Sequence, residues 1–198
     1  MSESSADLER IRRFASGDAA AFEEIVRAYQ SRIVTLCRYL LGNAADADDA
    51  AQDVFVKAFK SLKNYRPEAT LYTWLYRIAV NTCIDRKRKP FFFSLFHADD
   101  AGEGADAAFP ALRSEDPSPE QFIESQQISQ EIQRVLKKLS PKLRAAIVLK
   151  EIEGLTYEEI GEVQEISLGT VKSRIFRARE EMKRALIGGR EQNGPRAV

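Results

Sequence analysis

The segment Gly154–Glu180, GLTYEEIGEVQEISLGTVKSRIFRARE, leaves little choice of local fold. Thr156 followed three residues later by Glu159 is a capping box, in which the hydroxyl accepts from a helical N–H and the carboxylate reaches back to the cap. Tyr157, Ile160, Gly161 and Val163 then give a short helix its inner side, with Gly161 where two helices must approach closely. A turn falls at Gln164–Ser167. A second helix starts near Leu168, with Val171, Ile175, Ala178 and Met182 as its buried stripe. This is helix-turn-helix layout. Glu165 departs from it, standing where many such turns carry Gly.

The outer face of the second helix holds Gly169, Thr170, Lys172, Ser173, Phe176 and Arg177. Recognition helices read base edges mainly through their N-terminal residues, where Thr170, Lys172 and Ser173 lie. Arg174, Arg177 and Arg179 can reach phosphates or guanine. Phe176 points away from the core, and a thymine methyl or a sugar would account for it. A helical hairpin with a basic surface is the plainer alternative.

The rest of the chain reads as helix after helix. Asp18 can cap AAAFEEIVRAYQSRIVTLCRYLL, whose Phe22, Ile25, Val26, Tyr29, Ile33, Leu36 and Cys37 recur at helical spacing. Gly42-Asn43 ends it, and Asn43 can cap AADADDAAQDVFVKAFKSL. A loop with Pro67 leads to a helix over Leu71–Lys89, ended by Pro90. Residues 91–117 have Gly, Pro and acids without a period and read as a flexible acidic linker, although Phe91, Phe92, Phe93, Leu95 and Phe96 are unusual in one. Ser118-Pro119 and Ser140-Pro141 each start a further helix. No period-two pattern occurs. The expectation is all-α, with domains at 1–90 and 118–198, the second a helix-turn-helix domain with a disordered tail.

The helix LYTWLYRIAVNTCIDRKRK has two faces. Tyr72, Leu75, Tyr76, Ala79 and Cys83 share an apolar one, widened by Leu71, Ile78 and Thr82. Trp74, Arg77, Asn81, Asp85 and Arg88 share another, mixing a ring, an amide and guanidiniums. Unpaired bases want such a mixture: a ring to stack on, an amide for an edge, cations for phosphates. A core tryptophan capped by a solvated helix end explains this helix alone equally well.

Formal net charge is zero, but its distribution is blocked. Residues 44–56 hold four acids (Asp46, Asp48, Asp49, Asp53) and no base. Residues 57–90 hold nine bases against two acids. Residues 91–117 hold one base against six acids, and 164–198 hold eight against four. Two basic binding surfaces joined by an acidic strap follow from this. Apolar residues make up 44% of the 198, enough for a sizeable core. No run is apolar for a membrane span's length and no signal peptide opens the chain, so it reads as cytosolic. Cys37 and Cys83 read as reduced core thiols, and the lone His97 makes histidine catalysis or metal binding a poor expectation.

Two nucleic-acid surfaces in this order resemble the bacterial sigma factors of the extracytoplasmic-function (ECF) group, a branch of the sigma-70 family. The resemblance spans roughly residues 14–90 and 118–186. DADDAAQDVFVKAF resembles the family's polymerase-binding segment, YTWLYRIAVNTCIDRKRK its promoter-melting and minus-ten segment, and the stretch from Leu139 to Glu180 its minus-thirty-five domain. The linker matches only in place and acidity. The resemblance implies a factor that binds core RNA polymerase and opens stress-type promoters, without a cofactor, under the control of an anti-sigma factor. By the same resemblance Asp48, Asp49, Gln52, Asp53 and Phe55 would meet polymerase. Asn81 would hold a flipped minus-ten base, Trp74 would help part the strands, Tyr65 is the loop aromatic nearest the base pocket, and Arg77 would also meet minus-ten DNA. Arg86, Lys87, Arg88 and Lys89 would hold phosphates. Gly169, Thr170, Lys172, Ser173, Arg174, Phe176 and Arg177 would meet the minus-thirty-five element.

A stand-alone helix-turn-helix regulator explains residues 118–186 equally well but not the Trp74–Arg88 stripe or the acidic block. An enzyme holding a metal on Asp48, Asp49 and Asp53 is disfavoured, because no histidine or distant acid converges on them and no phosphate-cradling Gly loop exists.

Overall fold

The computed structural model describes residues 3–66, 69–88 and 119–192, with side chains at 5–66, 69–87 and 127–187. The linker at 91–117 with its Phe91–Phe96 cluster, His97, Lys89, the side chain of Arg88 and the tail at 193–198 lie outside the described residues. Among the described residues the secondary structure is helical throughout, as the periodicity predicts.

The first domain comprises α1 (Glu3–Ala15), α2 (Ala20–Leu41), α3 (Ala44–Ser61), a single 3-10 turn (Leu62–Asn64) and α4 (Leu71–Arg88). Helix α1 is not anticipated from the sequence, whose opening is polar and mixed in charge. It is held by few contacts of high value. Phe14 is buried against Phe22 and Phe59, with ring centroids 5.6 and 5.2 Å away. Asp7 is buried and accepts a 2.5 Å hydrogen bond from the Tyr29 hydroxyl. Asp18 receives the Ala20 N–H at 3.0 Å. It also pairs with Arg13, whose hydrogen bonds hold the Asp18 carboxyl below its ordinary pKa. The punctuation between α2 and α3 is as expected. Gly42 adopts a left-handed φ of 72°, and the Asn43 side chain accepts from Asp46 N at 3.2 Å.

Helix α4 closes this core with Leu71, Leu75, Tyr76, Ala79 and Cys83, all buried. Cys37 and Cys83 are free thiols, both buried, and the contact of Cys83 with Cys37 together with burial pushes its pKa up.

The second domain comprises α5 (Pro119–Lys138), α6 (Pro141–Glu151), α7 (Tyr157–Gln164) and α8 (Leu168–Gln192). Pro141 takes the first helical position as expected, but the Ser140 side chain makes no capping hydrogen bond. The capping box is complete: Glu159 N donates to Thr156 Oγ1 at 3.2 Å and Thr156 N to Glu159 Oε2 at 2.8 Å. A Cβ at Gly161 would meet the Ile166 carbonyl oxygen at 3.1 Å, which explains the glycine. Glu165 carries the turn at φ 53° and ψ 49°, a left-handed conformation that a side chain adopts at a cost.

The two domains pack directly on each other. The buried Arg144 guanidinium donates to the carbonyls of Leu136, Lys137 and Leu139 at the end of α5, and across the domain boundary to Leu40 at 2.7 Å. Those carbonyls lie at helix ends, where backbone donors run out; of the four only Leu136 also takes a backbone N–H, from Leu139 at 3.1 Å. Arg144→Met keeps an apolar stem and removes the side-chain donor from all four carbonyls, of which Leu136 alone retains the Leu139 N–H. It should lower unfolding stability by about 3 kcal/mol, with Arg144→Lys recovering only part because an ammonium lacks the planar fork. Urea denaturation of the full chain measures both; an unchanged midpoint for the Met variant would show that the clasp contributes nothing.

Candidate nucleic-acid interface

Three surfaces carry the residues singled out from the sequence. The first is the outer side of α8. Its inner stripe is buried at Val171, Ile175 and Ala178, and Met182 packs against the same core. On the other side Gly169, Lys172, Ser173, Phe176 and Arg177 are all exposed, and Phe176 retains 66% of its surface. Ser167 caps the helix, its Oγ taking the Thr170 N–H at 3.4 Å and lying 3.0 Å from the Thr170 hydroxyl. Ser173 Oγ donates to the Thr170 carbonyl at 2.9 Å, which leaves its lone pairs outward. Two arginines stand apart from this face. Arg174 is half-buried and donates to Gln164 Oε1 at 2.5 Å, and Arg179 pairs with Glu151 at 2.6 Å.

The second surface is the stripe on α4. Asn81 and Asp85 differ from the buried face of the same helix: both are exposed, while Trp74 and Arg77 are half-buried. The loop before α4 is pinned to it. The Tyr65 ring meets Trp74 edge-on at 5.5 Å, the Tyr65 hydroxyl donates to the Ala69 carbonyl, and Thr70 Oγ1 caps α4 by accepting from Thr73 N at 3.2 Å. Ring, amide and guanidinium are thereby set on rigid backbone. At the helix end Arg86 is tied to Asp53 at 2.6 Å, which raises the Arg86 pKa, and Lys87 is exposed.

The third surface is α3. Asp48, Asp49, Gln52 and Asp53 are exposed, with Asp48 facing Arg38 at 3.4 Å. Phe55 is only half-buried and packs on the core. Sequence reasoning missed the neighbouring Val56 and Phe59, exposed at 51% and 48%. Their spacing at i and i+3 on a helix was the signal available. It missed as well an apolar groove of about 640 Å³ between α5, α6 and α8, lined by Ile132, Leu136, Ile152, Met182 and Ile187.

Among the described residues no three His, Cys, Asp or Glu side chains are grouped to hold a metal, and no helix is long and apolar enough to cross a membrane.

Comparison with known proteins agrees with this layout. Residues 25–90 match the family model of Sigma-70 region 2, and residues 129–182 that of Sigma-70, region 4. The chain is 38% identical to the ECF RNA polymerase sigma factor SigW of Bacillus subtilis over 90% of its own length and 95% of SigW. It is 37% identical to the ECF RNA polymerase sigma-E factor of Escherichia coli, over 91% of this chain and 94% of that one. In structure it is similar to CnrH, solved in complex with the cytosolic domain of CnrY, with a TM-score of 0.67 at 25% identity over 92% of this chain and 98% of that one. The fold is shared also by the sigma factor RpoE of Bartonella quintana, with a TM-score of 0.60 at 22% identity over 83% and 96% of the two chains. A stand-alone regulator would account for the second family match but not the first. With both regions present in order and the relatives matched nearly end to end, the chain belongs to the ECF group of sigma-70-family RNA polymerase sigma factors, which direct polymerase to promoters and start transcription.

Proposed function

We propose a division of labour among the three surfaces. The observation that carries it is the two-faced α4, buried at Leu75, Tyr76, Ala79 and Cys83, half-buried at Trp74 and Arg77 and exposed at Asn81 and Asp85. On this reading Asn81 holds an unpaired minus-ten base, Trp74 and Tyr65 form the wall on which the strand parts, and Arg77 and Lys87 attract the backbone. Arg86 is pre-oriented by Asp53 for the same task. Arg88 and Lys89 extend this cationic end in sequence. On α8, Thr170, Lys172, Ser173 and Phe176 address the minus-thirty-five element, Gly169 lets the backbone approach, and Arg177 takes phosphate. Arg174, held by Gln164, positions the turn more than it reaches DNA.

The exposed acids of α3 with Gln52 form the contact to core polymerase. Phe55 supports that helix from beneath, and Val56 and Phe59 add apolar area at its edge. An anti-sigma factor is the further partner, supported by the likeness to CnrH, which was solved with the cytosolic domain of CnrY, and by the apolar groove of the second domain.

The test compares two residues of one helix. An amide has a donor and an acceptor in fixed geometry, so it distinguishes base edges; an ammonium is a point charge. Asn81→Ala should relax the choice of one minus-ten base, slow open-complex formation and leave its salt dependence almost unchanged. Lys87→Ala should keep base choice and lower the salt slope by about one counterion. Open-complex rates on minus-ten variants at several salt concentrations decide it, and a wild-type ranking of bases by Asn81→Ala would make Asn81 structural.

Two further outcomes are expected. Lys172→Ala and Ser173→Ala should each cost about 1–3 kcal/mol at one upstream base pair and little at the others, measured by holoenzyme binding to single-base variants. Equal losses on every variant would reject base reading. Asp49→Ala with Gln52→Ala should weaken core-polymerase binding in titration while circular dichroism stays unchanged; full affinity would remove α3 from the polymerase contact.

A further inference from the structure

The groove between α5, α6 and α8 measures about 640 Å³. Ile132, Leu136, Ile152, Met182, Leu186 and Ile187 line it, and Ile152, Leu186 and Ile187 are exposed. Ile128, one turn before Ile132, is exposed too and prolongs the strip toward the start of α5. Single apolar residues are ordinary on a surface, but a strip shared by three helices is not.

The chain carries a matching segment close by. From Phe91 to Phe96 the sequence FFFSLF is apolar at every position but Ser94. It has no polar side to turn outward, so its rings leave water only against another surface. That segment starts within reach of the groove. Asp85, in the last turn of α4, shares a cleft with Lys142 in the first turn of α6. Val148 and Ile152, on the groove, lie about 9 and 15 Å further along the axis of α6. Phe91 can stand about 10 Å, and Phe96 about 26 Å, beyond the end of α4 at Arg88. From Phe96 the chain has about 75 Å of extended length in which to return to Pro119, where α5 begins.

Charge agrees with apolar fit. Arg179 and Lys183 stand at the rim of the groove against the single carboxylate of Glu151. The sequence after Phe96 soon brings Asp99, Asp100 and Glu103, which a cationic rim attracts.

We propose that the groove of the second domain is the dock for the chain's own segment Phe91–Phe96. The segment is tethered to α4 on one side and α5 on the other. A tether of this kind holds it at an effective concentration of about a millimolar, so a submillimolar intrinsic affinity keeps the groove mostly filled. A partner from outside has to displace it. The dock is independent of the promoter and polymerase assignments of the other surfaces.

The test uses the full-length chain with the photoreactive p-benzoylphenylalanine in place of Phe92, and in place of Phe109 as a control in the same linker. Benzophenone inserts into neighbouring C–H bonds on illumination, and the thioether of Met182 offers a preferred target in the groove. Peptide mass mapping should find position 92 joined to α5 or α8 at the groove at least about fivefold more often than position 109. Ile152→Glu with Ile187→Glu changes two exposed side chains and should lower that yield about fivefold, because carboxylates resist an apolar cover. Dilution by about tenfold should leave the yield unchanged, since the contact lies within one chain. A product of twice the chain's mass would assign the groove to a second copy and overturn the proposal. Equal yields from the two positions, or indifference to the groove variant, would overturn it as well.

A second measurement needs no photochemistry. Phe92→Ser with Phe93→Ser and Phe96→Ser empties a filled groove, so fluorescence of the apolar dye ANS should rise about twofold. Rings that stand in water bind the dye themselves, and the same change then lowers fluorescence. A fall, or no change, would show that the segment does not cover the groove.

Discussion

The arrangement depends on a guanidinium whose hydrogen bonds run to backbone carbonyls. Arg144 is buried and spends its donors on four backbone carbonyls, three at the end of α5 and one at the end of α2. Helix C-termini concentrate partial negative charge, and two of them converge here. A cation with a planar fork satisfies both at once, which ties the end of α5 to the end of α2. Helix α7 packs beside α4 in the same seam, and Tyr76 with Glu153 completes it.

Burial of Glu153 in this seam pushes its pKa up, because desolvation of the carboxylate outweighs the hydrogen bond from Tyr76. A raised folded-state pKa means that the folded form holds its proton more firmly than the unfolded chain does. The contribution of this group is therefore most favourable below its ordinary pKa and declines as pH rises through the raised value. The seam is a place where the chain tolerates an unfavourable charge, in keeping with a contact that is not permanent.

Local features were legible in the sequence, and distant ones were not. Thr156 with Glu159, Gly42 with Asn43 and the Val171–Ile175–Ala178 stripe are short-range patterns, and each appears where spacing put it. Helix α1 escaped because its anchors, Phe14 and Asp7, are few and their partners Phe59 and Tyr29 lie far along the chain. On α3 the ring chosen from the motif, Phe55, packs on the core, while Phe59 one turn later is the exposed one; a helical wheel cannot tell which flank of an apolar stripe the neighbouring helices cover. The same blindness applies to Arg174. It sits in a basic run, but its side chain is held by Gln164 across the turn. The packing of one domain on the other is not read from local spacing, since Arg144 and Glu165 meet partners about a hundred residues earlier in the chain.

The order in which the ribosome delivers the chain gives Arg144 a further meaning. Helices α1 to α4 are complete once Arg88 has emerged, yet the Leu40 carbonyl acquires its partner only when Arg144 follows, more than fifty residues later. At synthesis rates of roughly 5–20 residues per second this is an interval of several seconds. During it the first domain exists with the mixed face of α4 bare and the end of α2 answered only by water. A nascent chain of this protein therefore carries its first domain alone before the second can pack on it.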